Sequence, residues 1–261
     1  MSVIKNVTAP KNELGNDPND FSSDPNYIDK MKPVSLEAVQ NLSPNTEDDI
    51  GLIFSAKYKD TLRYIAQMGR WLKWDGMKWK EDKILEVFDL IRRLCRHYFS
   101  DHKSLRDKML NAGTVSAIER LVRSDTAHRA TVDQWDDDDW VLNTPFGIVD
   151  LKSGEMMEHD PHKHCTKITS VGPEGNCATF IKFMDEVTGN DKDLIDFIQR
   201  VIGYSCTGST KEHALFFFYG RGGNGKGTLL NTILDILNDY AVTAPMSVFT
   251  ESKHDRHPTE L

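Results

Sequence analysis

The polar and apolar positions divide the chain into a leader and a folded part. Residues 1–48 are rich in Asn, Asp, Pro and Ser, which is typical of a flexible leader, with a short helix expected around residues 36–42. From Asp49 to Met68 apolar residues recur at helical spacing, and Gly69 ends the pattern. We therefore expect the first helix of a folded domain directly after the leader.

Two later stretches have the alternation of β-hairpins. Aromatic residues flank Asp75-Gly76, which predicts a hairpin closed by a two-residue type I′ turn. A second hairpin is predicted over residues 147–157, preceded by a strand at Val141, and residues 168–171 are expected to pair beside it. The acidic run at 136–139 is interpreted as a turn, because adjacent carboxylates cannot all face one metal ion.

The three tryptophans of the first hairpin are open to two interpretations. Trp71, Trp74 and Trp79 could pack on a neighbouring helix, which is the commoner role of hairpin aromatics, or stack nucleic-acid bases.

Helical periodicity predicts four more segments before residue 208. They are residues 83–99, residues 104–123 with Ser104 as N-cap, residues 178–187 and residues 192–204. The inward face of the first is expected to hold Ile84, Val87 or Phe88, Ile91, Leu94 or Cys95, and Tyr98. Its other face carries Arg92, Arg93 and Arg96, for which a solvated surface is the default and contact with a DNA backbone the alternative.

The strongest functional signal lies between Leu215 and Tyr240. An apolar run over Leu215–Tyr219 predicts a buried strand, a glycine loop follows, and Lys226 opens an amphipathic helix. Strand, glycine loop and helix form a phosphate-binding loop, in which backbone N–H groups, the helix N-terminus and the lysine hold the phosphates of a nucleoside triphosphate. A glycine-rich turn before an ordinary helix is the alternative. The predicted nucleotide-binding residues are Gly220, Gly222, Gly223, Asn224, Gly225, Lys226, Gly227 and Thr228.

The loop departs from the usual motif at one position. The residue after the lysine is normally Ser or Thr, whose hydroxyl binds Mg²⁺, but here it is Gly227. Either Thr228 takes the metal role from one position further on, or water does.

Composition limits the class of protein. No apolar run approaches the roughly 20 residues of a membrane span, and cysteines without a C-x-x-C pattern favour reduced thiols and an intracellular protein. A net charge of -8 argues against a surface coated by nucleic acid but leaves room for a local basic channel. His162, His164 and Cys165 are interpreted as a surface loop, because no second cluster completes a zinc site.

The loop G-R-G-G-N-G-K-G-T resembles that of the phage and plasmid primase-helicases of superfamily 3, which are related to the poxvirus primase-helicase. The resemblance extends over about residues 50–261, through R-W-L-K-W-D-G-M-K-W, L-N-T-P-F-G-I-V-D-L-K-S-G, H-D-P, F-I-Q-R-V-I-G-Y-S-C-T-G and H-D-R-H-P-T-E-L. It implies a mixed α/β chain: an α+β pre-ATPase domain over residues 49–207, then the start of an AAA+-like P-loop ATPase over residues 208–261. It also implies ATP and Mg²⁺ as cofactors, single-stranded or origin DNA as partner, and the cytoplasm of a bacterium or a phage-infected cell as location. For the intact protein it implies a ring of identical subunits.

The family's Walker B acids, sensor residue and arginine finger have no match here. The resemblance therefore leads us to expect a primase-helicase cut inside its ATPase domain, with no hydrolysis of ATP and no visible primase site. Two other functions stay open, a DNA- or partner-binding module with a vestigial P-loop and a small P-loop kinase. The position of the loop near residue 261 disfavours the kinase.

Overall fold

The computed structural model describes residues 42–101 and 103–245, and within them the chain is a mixed α/β protein with two small sheets. The helices are α1 (Glu47–Tyr58), α2 (Glu86–Tyr98), α3 (Lys103–Met109), α4 (Ala112–Ser124), α5 (Ala178–Thr188), α6 (Lys192–Ser205) and α7 (Lys226–Leu237). The strands are β1 (Leu62–Ile65), β2 (Arg70–Trp74), β3 (Trp79–Glu81), β4 (Arg129–Ala130), β5 (Val141–Thr144), β6 (Gly147–Asp150) and β7 (Met156–Met157). Short 3-10 turns lie at Val132–Gln134, Pro161–Lys163 and Asn238–Tyr240.

The first sheet has the strand order β3-β2-β1-β4. β2 pairs antiparallel with both of its neighbours, whereas β4 joins β1 in parallel. The predicted hairpin is confirmed, but its two-residue turn is wrong. Trp74 pairs with Trp79, so four residues separate the strands, and the Asp75 carboxylate accepts hydrogen bonds from the N–H groups of Met77 and Lys78.

Helices α1, α2 and α4 build the main core around this sheet. Its centre holds large apolar side chains that are almost fully buried, among them Ile50, Phe54, Ile91 and Ile118. Two of these helices begin at a side-chain cap. Thr46 and Asp49 form a capping box on α1, and Asn111 caps α4.

The second sheet has the order β5-β6-β7 and confirms the predicted second hairpin. Gly147 is required there, because its φ is +146° and a Cβ atom would lie 2.4 Å from the Met157 carbonyl oxygen. The predicted strand over 168–171 is wrong. That segment is irregular, and Thr169 donates a single backbone hydrogen bond to Asn143 of β5.

A smaller core joins α5, α6 and α7. Three buried residues, Met184, Ile198 and Leu229, form its centre, and partly buried aromatic and aliphatic residues surround them. The predicted helices over 178–187, over 192–204 and from Lys226 are confirmed within one or two residues.

Three helix predictions need correction. The periodic stretch from 49 to 68 forms α1 and then β1, because Leu62–Ile65 pairs with β2 on one side and β4 on the other. The helix predicted from Ser104 to 123 is two helices, separated where Asn111 caps the second. On α2, Ile84 precedes the helix and is exposed, Tyr98 is exposed, and Phe99 is buried instead.

The predicted buried strand at Leu215–Tyr219 is also wrong. The segment is extended without strand pairing, and its outward residues Leu215, Phe217 and Tyr219 are 80%, 77% and 83% exposed. Phe216 and Phe218 face inward onto α6 and the smaller core. No strand of the described residues lies beside the segment, so its backbone has no ladder to join.

Residues 1–41 and all residues after 245 lie outside the described residues. Most of the leader expected over 1–48, with nearly all of its short helix, therefore lies outside them. None of the helices in the described part of the chain combines the length and hydrophobicity that a membrane crossing requires.

Candidate nucleotide-binding loop

The loop between residues 220 and 228 contains three glycines with positive φ angles. Gly220, Gly223 and Gly225 have φ values of +148°, +75° and +81°, which side chains rarely allow. Gly225 is the N-cap of α7 and supplies no side-chain hydrogen bond. The first N–H groups of α7 therefore have no partner within the helix and face the loop, as in an anion-binding site.

The Lys226 ammonium lies over the same loop. Its Nζ donates to the carbonyl oxygens of Gly220 and Arg221, both at 3.1 Å, and to Oδ1 of Asn224 at 2.6 Å. An ammonium group has three donors, and here all three meet oxygen atoms of the loop. The lysine is thus positioned by the loop itself, with Asn224 as the side-chain partner.

The loop glycines divide into two groups by what a side chain would meet. A Cβ atom at Gly220 would lie 2.6 Å from Nδ2 of Asn224, and one at Gly225 would lie 2.5 Å from Cγ1 of Val187. The fold itself explains these two glycines. At Gly222 and Gly227 a Cβ atom would meet nothing within 4 Å and φ is not positive, so packing does not explain why they lack side chains. Close approach of a ligand to the backbone would explain the absence of side chains at these two positions.

Thr228 is exposed on the first turn of α7, and its carbonyl oxygen accepts a hydrogen bond from the Thr232 hydroxyl at 2.9 Å. Successive helix residues are rotated by about 100°. Thr228 therefore leaves the helix in a different direction from position 227, where the usual metal-binding hydroxyl stands.

The far end of α7 is fastened to the second sheet. The Tyr240 hydroxyl accepts a hydrogen bond from the Asn143 N–H of β5 at 3.0 Å, and burial raises the pKa of this tyrosine far above its usual range. Asp239 pairs with Lys78 of the first hairpin and accepts from the Ile168 N–H at 3.1 Å. Ser170 donates through its N–H to the Ile236 carbonyl at 3.0 Å. The sequence contained no signal for these contacts, because they join segments about 70 to 160 residues apart.

The arginines proposed for DNA contact lie together on α2. Arg92 and Arg93 both pair with Asp89, at 4.0 and 2.7 Å, and Arg96 is exposed. Two of the three charges are thus partly neutralised on their own helix. This patch and the glycine loop are separate regions of the chain.

The tryptophans have a packing role. The Trp71 indole is buried and donates to the Glu119 carboxylate of α4 at 2.7 Å. Trp79 is buried against Trp135 and donates to the Pro161 carbonyl at 2.9 Å. The prediction of packing on a helix is confirmed for Trp71, which contacts α4. Trp79 is also buried, but against Trp135 and Pro161 rather than an α-helix.

The His162, His164 and Cys165 cluster belongs to the loop after β7. The ring of His164 packs edge-on against Trp135, and burial is the main cause that lowers its pKa. Burial also raises the pKa of the Cys165 thiol to about 11. In the part of the chain that the structure describes, no group of three or more His, Cys, Asp or Glu side chains is arranged to hold a metal ion.

Comparison with protein families gives one match. The model described as "D5 N terminal like" matches residues 51–189, a little over half of the chain, and this domain is found in phage and plasmid primase-helicase proteins. A comparison with curated proteins finds no match. The matched segment contains both sheets, most of α1 and all of helices α2 to α5, and it ends before the glycine loop.

Proposed function

We propose, from the premise that this chain belongs to the D5 N-terminal-like family, that it is a DNA replication protein of primase-helicase type that binds ATP and Mg²⁺ at residues 220–228. It acts in the cytoplasm of a bacterium or a phage-infected cell, as a superfamily 3 ring of identical subunits on single-stranded or origin DNA. Membership of the family supports the role in replication, and the geometry of the glycine loop supports the binding of a nucleotide.

One observation carries the nucleotide proposal. Three features lie together in one small region. They are Lys226 Nζ, the N–H groups at the start of α7 that have no partner within the helix, and glycines 222 and 227, whose lack of a side chain is not explained by packing. Such a region stabilises an anion through backbone donors, the helix dipole and an ammonium group together. A turn with a purely structural role would not require these three features together.

The residues have separate roles toward the nucleotide. To contact a phosphate, Lys226 exchanges at least one of its three loop oxygens for a phosphate oxygen, and Asn224 keeps the side chain near the loop. The N–H groups of residues 226–228 donate to phosphate oxygens. Mg²⁺ would neutralise charge on the phosphates, and either Thr228 or water would hold it on the protein side.

The test is the ATP affinity of the full chain, measured by calorimetry with and without Mg²⁺. Replacing Lys226 by Ala removes charge-assisted hydrogen bonds of about 1.5–3 kcal/mol, which is at least roughly a tenfold loss of affinity. Lys182→Ala is the matched control, because this lysine is 80% exposed on α5 and pairs weakly with Glu186 at 3.8 Å. Equal affinities for wild type and Lys226→Ala would disprove the site.

A separate variant tests whether Thr228 binds the metal ion. Thr228→Ala should weaken Mg²⁺-dependent binding and leave binding in EDTA unchanged if the hydroxyl holds the metal. The same affinity loss in both buffers, or none, assigns the metal contact to water.

A second function rests on where the family match ends. Because residues 51–189 exclude the loop, the matched domain could act as a DNA- or partner-binding module without nucleotide. DNA binding by the wild-type chain together with no measurable ATP binding would favour it.

A further inference from the structure

A groove of about 500 Å³ opens on the family-matched domain between β2, the start of α2 and α4. We call it the arginine groove, because Arg70, Arg120 and Arg123 line it together with the apolar side chains of Trp71, Leu85 and Phe88. Its size is within the range of small-ligand sites. It lies apart from the glycine loop and from every residue assigned to nucleotide binding above.

The acidic residues of the groove are already engaged. Both carboxylate oxygens of Glu119 bind Arg123, each at 2.6 Å, and one also accepts from the Trp71 indole. Asp82 accepts from backbone N–H groups at the start of α2 at about 3.0 Å. Glu81 pairs with Arg70 at 3.2 Å.

Arg120 has no acidic partner among the described residues. Within the part of the chain that the structure describes, its guanidinium makes one hydrogen bond, from Nε to the Ser116 carbonyl on its own helix at 3.4 Å. The groove is lined by three arginines and three carboxylates, so its formal charges balance. Both other arginines pair with a carboxylate, and the third carboxylate, Asp82, accepts from backbone N–H groups. Arg120 is therefore the cation of the groove that is available to an anionic group.

The apolar side of the groove contains a strained residue. Leu85 has φ +59° and is 74% exposed, although leucine rarely adopts this conformation. The start of α2 does not require a leucine here, since Asp82 supplies the cap. Phe88, one turn along, is partly exposed beside it. Strained, exposed apolar residues are often found at binding sites, and this pair offers a surface for a flat apolar group.

The surface continues along α2 beyond the groove. Phe88, Arg92 and Arg96 are spaced at i, i+4 and i+8, so they lie on one row of the helix at intervals of about 6 Å. A ligand with a single phosphate would not reach this row. A chain of nucleotides would place successive phosphates along it.

We propose that the arginine groove binds single-stranded nucleic acid, with a base against Leu85 and Phe88, a phosphate at Arg120 and Arg70, and further phosphates along Arg92 and Arg96. The proposal rests on the replication function proposed above and gives that function a specific DNA contact. A free nucleotide shares the chemistry of one base and one phosphate. It lacks the chain that the arginine row requires.

The test is fluorescence anisotropy of a labelled oligothymidylate with the full chain, without ATP or Mg²⁺, over a range of salt concentrations. Arg120→Ala should weaken binding about tenfold and reduce the salt slope by about 0.7, the value for one phosphate contact with single-stranded nucleic acid. Arg120→Lys should retain most of the affinity because it keeps the charge. Lys182→Ala is the control for loss of an exposed cation elsewhere.

A second variant probes the apolar side without threatening the fold. Leu85→Asn should be at least as stable as wild type, since asparagine tolerates this backbone conformation, but should bind the oligonucleotide several-fold more weakly because a stacking surface is lost.

Three outcomes would overturn the proposal. They are unchanged affinity in Arg120→Ala, an oligonucleotide that wild type does not bind, and unlabelled thymidine monophosphate that competes as well as the oligonucleotide. The last outcome assigns the groove to a free nucleotide. The ATP proposal is tested separately, by the ATP affinity of Lys226→Ala in a different assay. If that proposal fails, the expected oligonucleotide binding does not change.

Discussion

Replacing Gly225 by alanine tests the link between the loop and the smaller core. The new methyl group would lie 2.5 Å from Cγ1 of Val187 and 3.2 Å from two ring carbons of Phe183, both on α5. Alanine at φ +81° costs roughly 1–2 kcal/mol. Overpacking against a stiff β-branched side chain adds about 1–3 kcal/mol. The expected loss is therefore about 2–5 kcal/mol.

This loss should be local. Helix α7 is held by a cluster with three buried residues at its centre, whereas the main core has fifteen. The α7 unit should therefore open before the family-matched domain unfolds. A loss of 2 kcal/mol lowers amide protection by about thirtyfold, and hydrogen exchange followed by mass spectrometry can resolve this over residues 226–237.

Gly222→Ala is the matched control in the same loop. Its methyl group would meet no protein atom within 4 Å, and φ is not positive. Protection of α7 should therefore stay within about 1 kcal/mol of wild type, while ATP affinity falls if phosphate approaches the backbone there. Equal protection of α7 in the two variants would refute the packing argument, and unchanged ATP affinity in Gly222→Ala would refute the ligand argument.

Two further predictions concern the fold. Burial lowers the pKa of His128, so the unfolded chain takes up a proton on this residue more readily. Its Nδ1 lies 3.0 Å from the Leu62 carbonyl, and its Nε2 has no hydrogen-bond partner among the described residues. Stability should be full above about pH 6.5 and fall below it by up to about 1.4 kcal/mol per pH unit. His128→Phe should flatten that slope in urea titrations, and an unchanged slope would contradict the reasoning. Tyr240→Phe leaves the Asn143 N–H without its acceptor, which should cost about 1–3 kcal/mol, seen as a lower thermal midpoint. A midpoint equal to wild type would show that this bond contributes nothing.

Local sequence signals predicted the elements that depend on local chemistry. Gly189 has φ +67° and ends α5, and Asp191 caps α6. β2 and β3 pair as the predicted hairpin, although four residues rather than two connect them. For the glycine loop, the order of loop and helix was confirmed, and so was the start of the helix at Lys226. Each of these features needs only neighbours a few residues away.

Features that depend on distant partners were missed. Leu62–Ile65 has a helical pattern of apolar residues, yet it forms a strand because β2 and β4 supply hydrogen bonds from elsewhere in the chain. Leu215–Tyr219 has the composition of a central strand, and no neighbouring strand within the described residues completes it. The arginine groove draws on β2, α2 and α4, so no single stretch of sequence contains its pattern.

The attachment of α7 at its far end has a mechanical consequence. The helix is about 18 Å long. The 3-10 turn directly after it, which contains Asp239 and Tyr240, contacts the family-matched domain, and the first turn of the helix belongs to the glycine loop. At this length a tilt of about 3° about the far end moves the loop by roughly 1 Å. Helix α7 thus couples the glycine loop mechanically to β5 and the first hairpin, so a tilt caused by movement of the loop changes the geometry at Asn143 and Lys78 as well as the packing on α5.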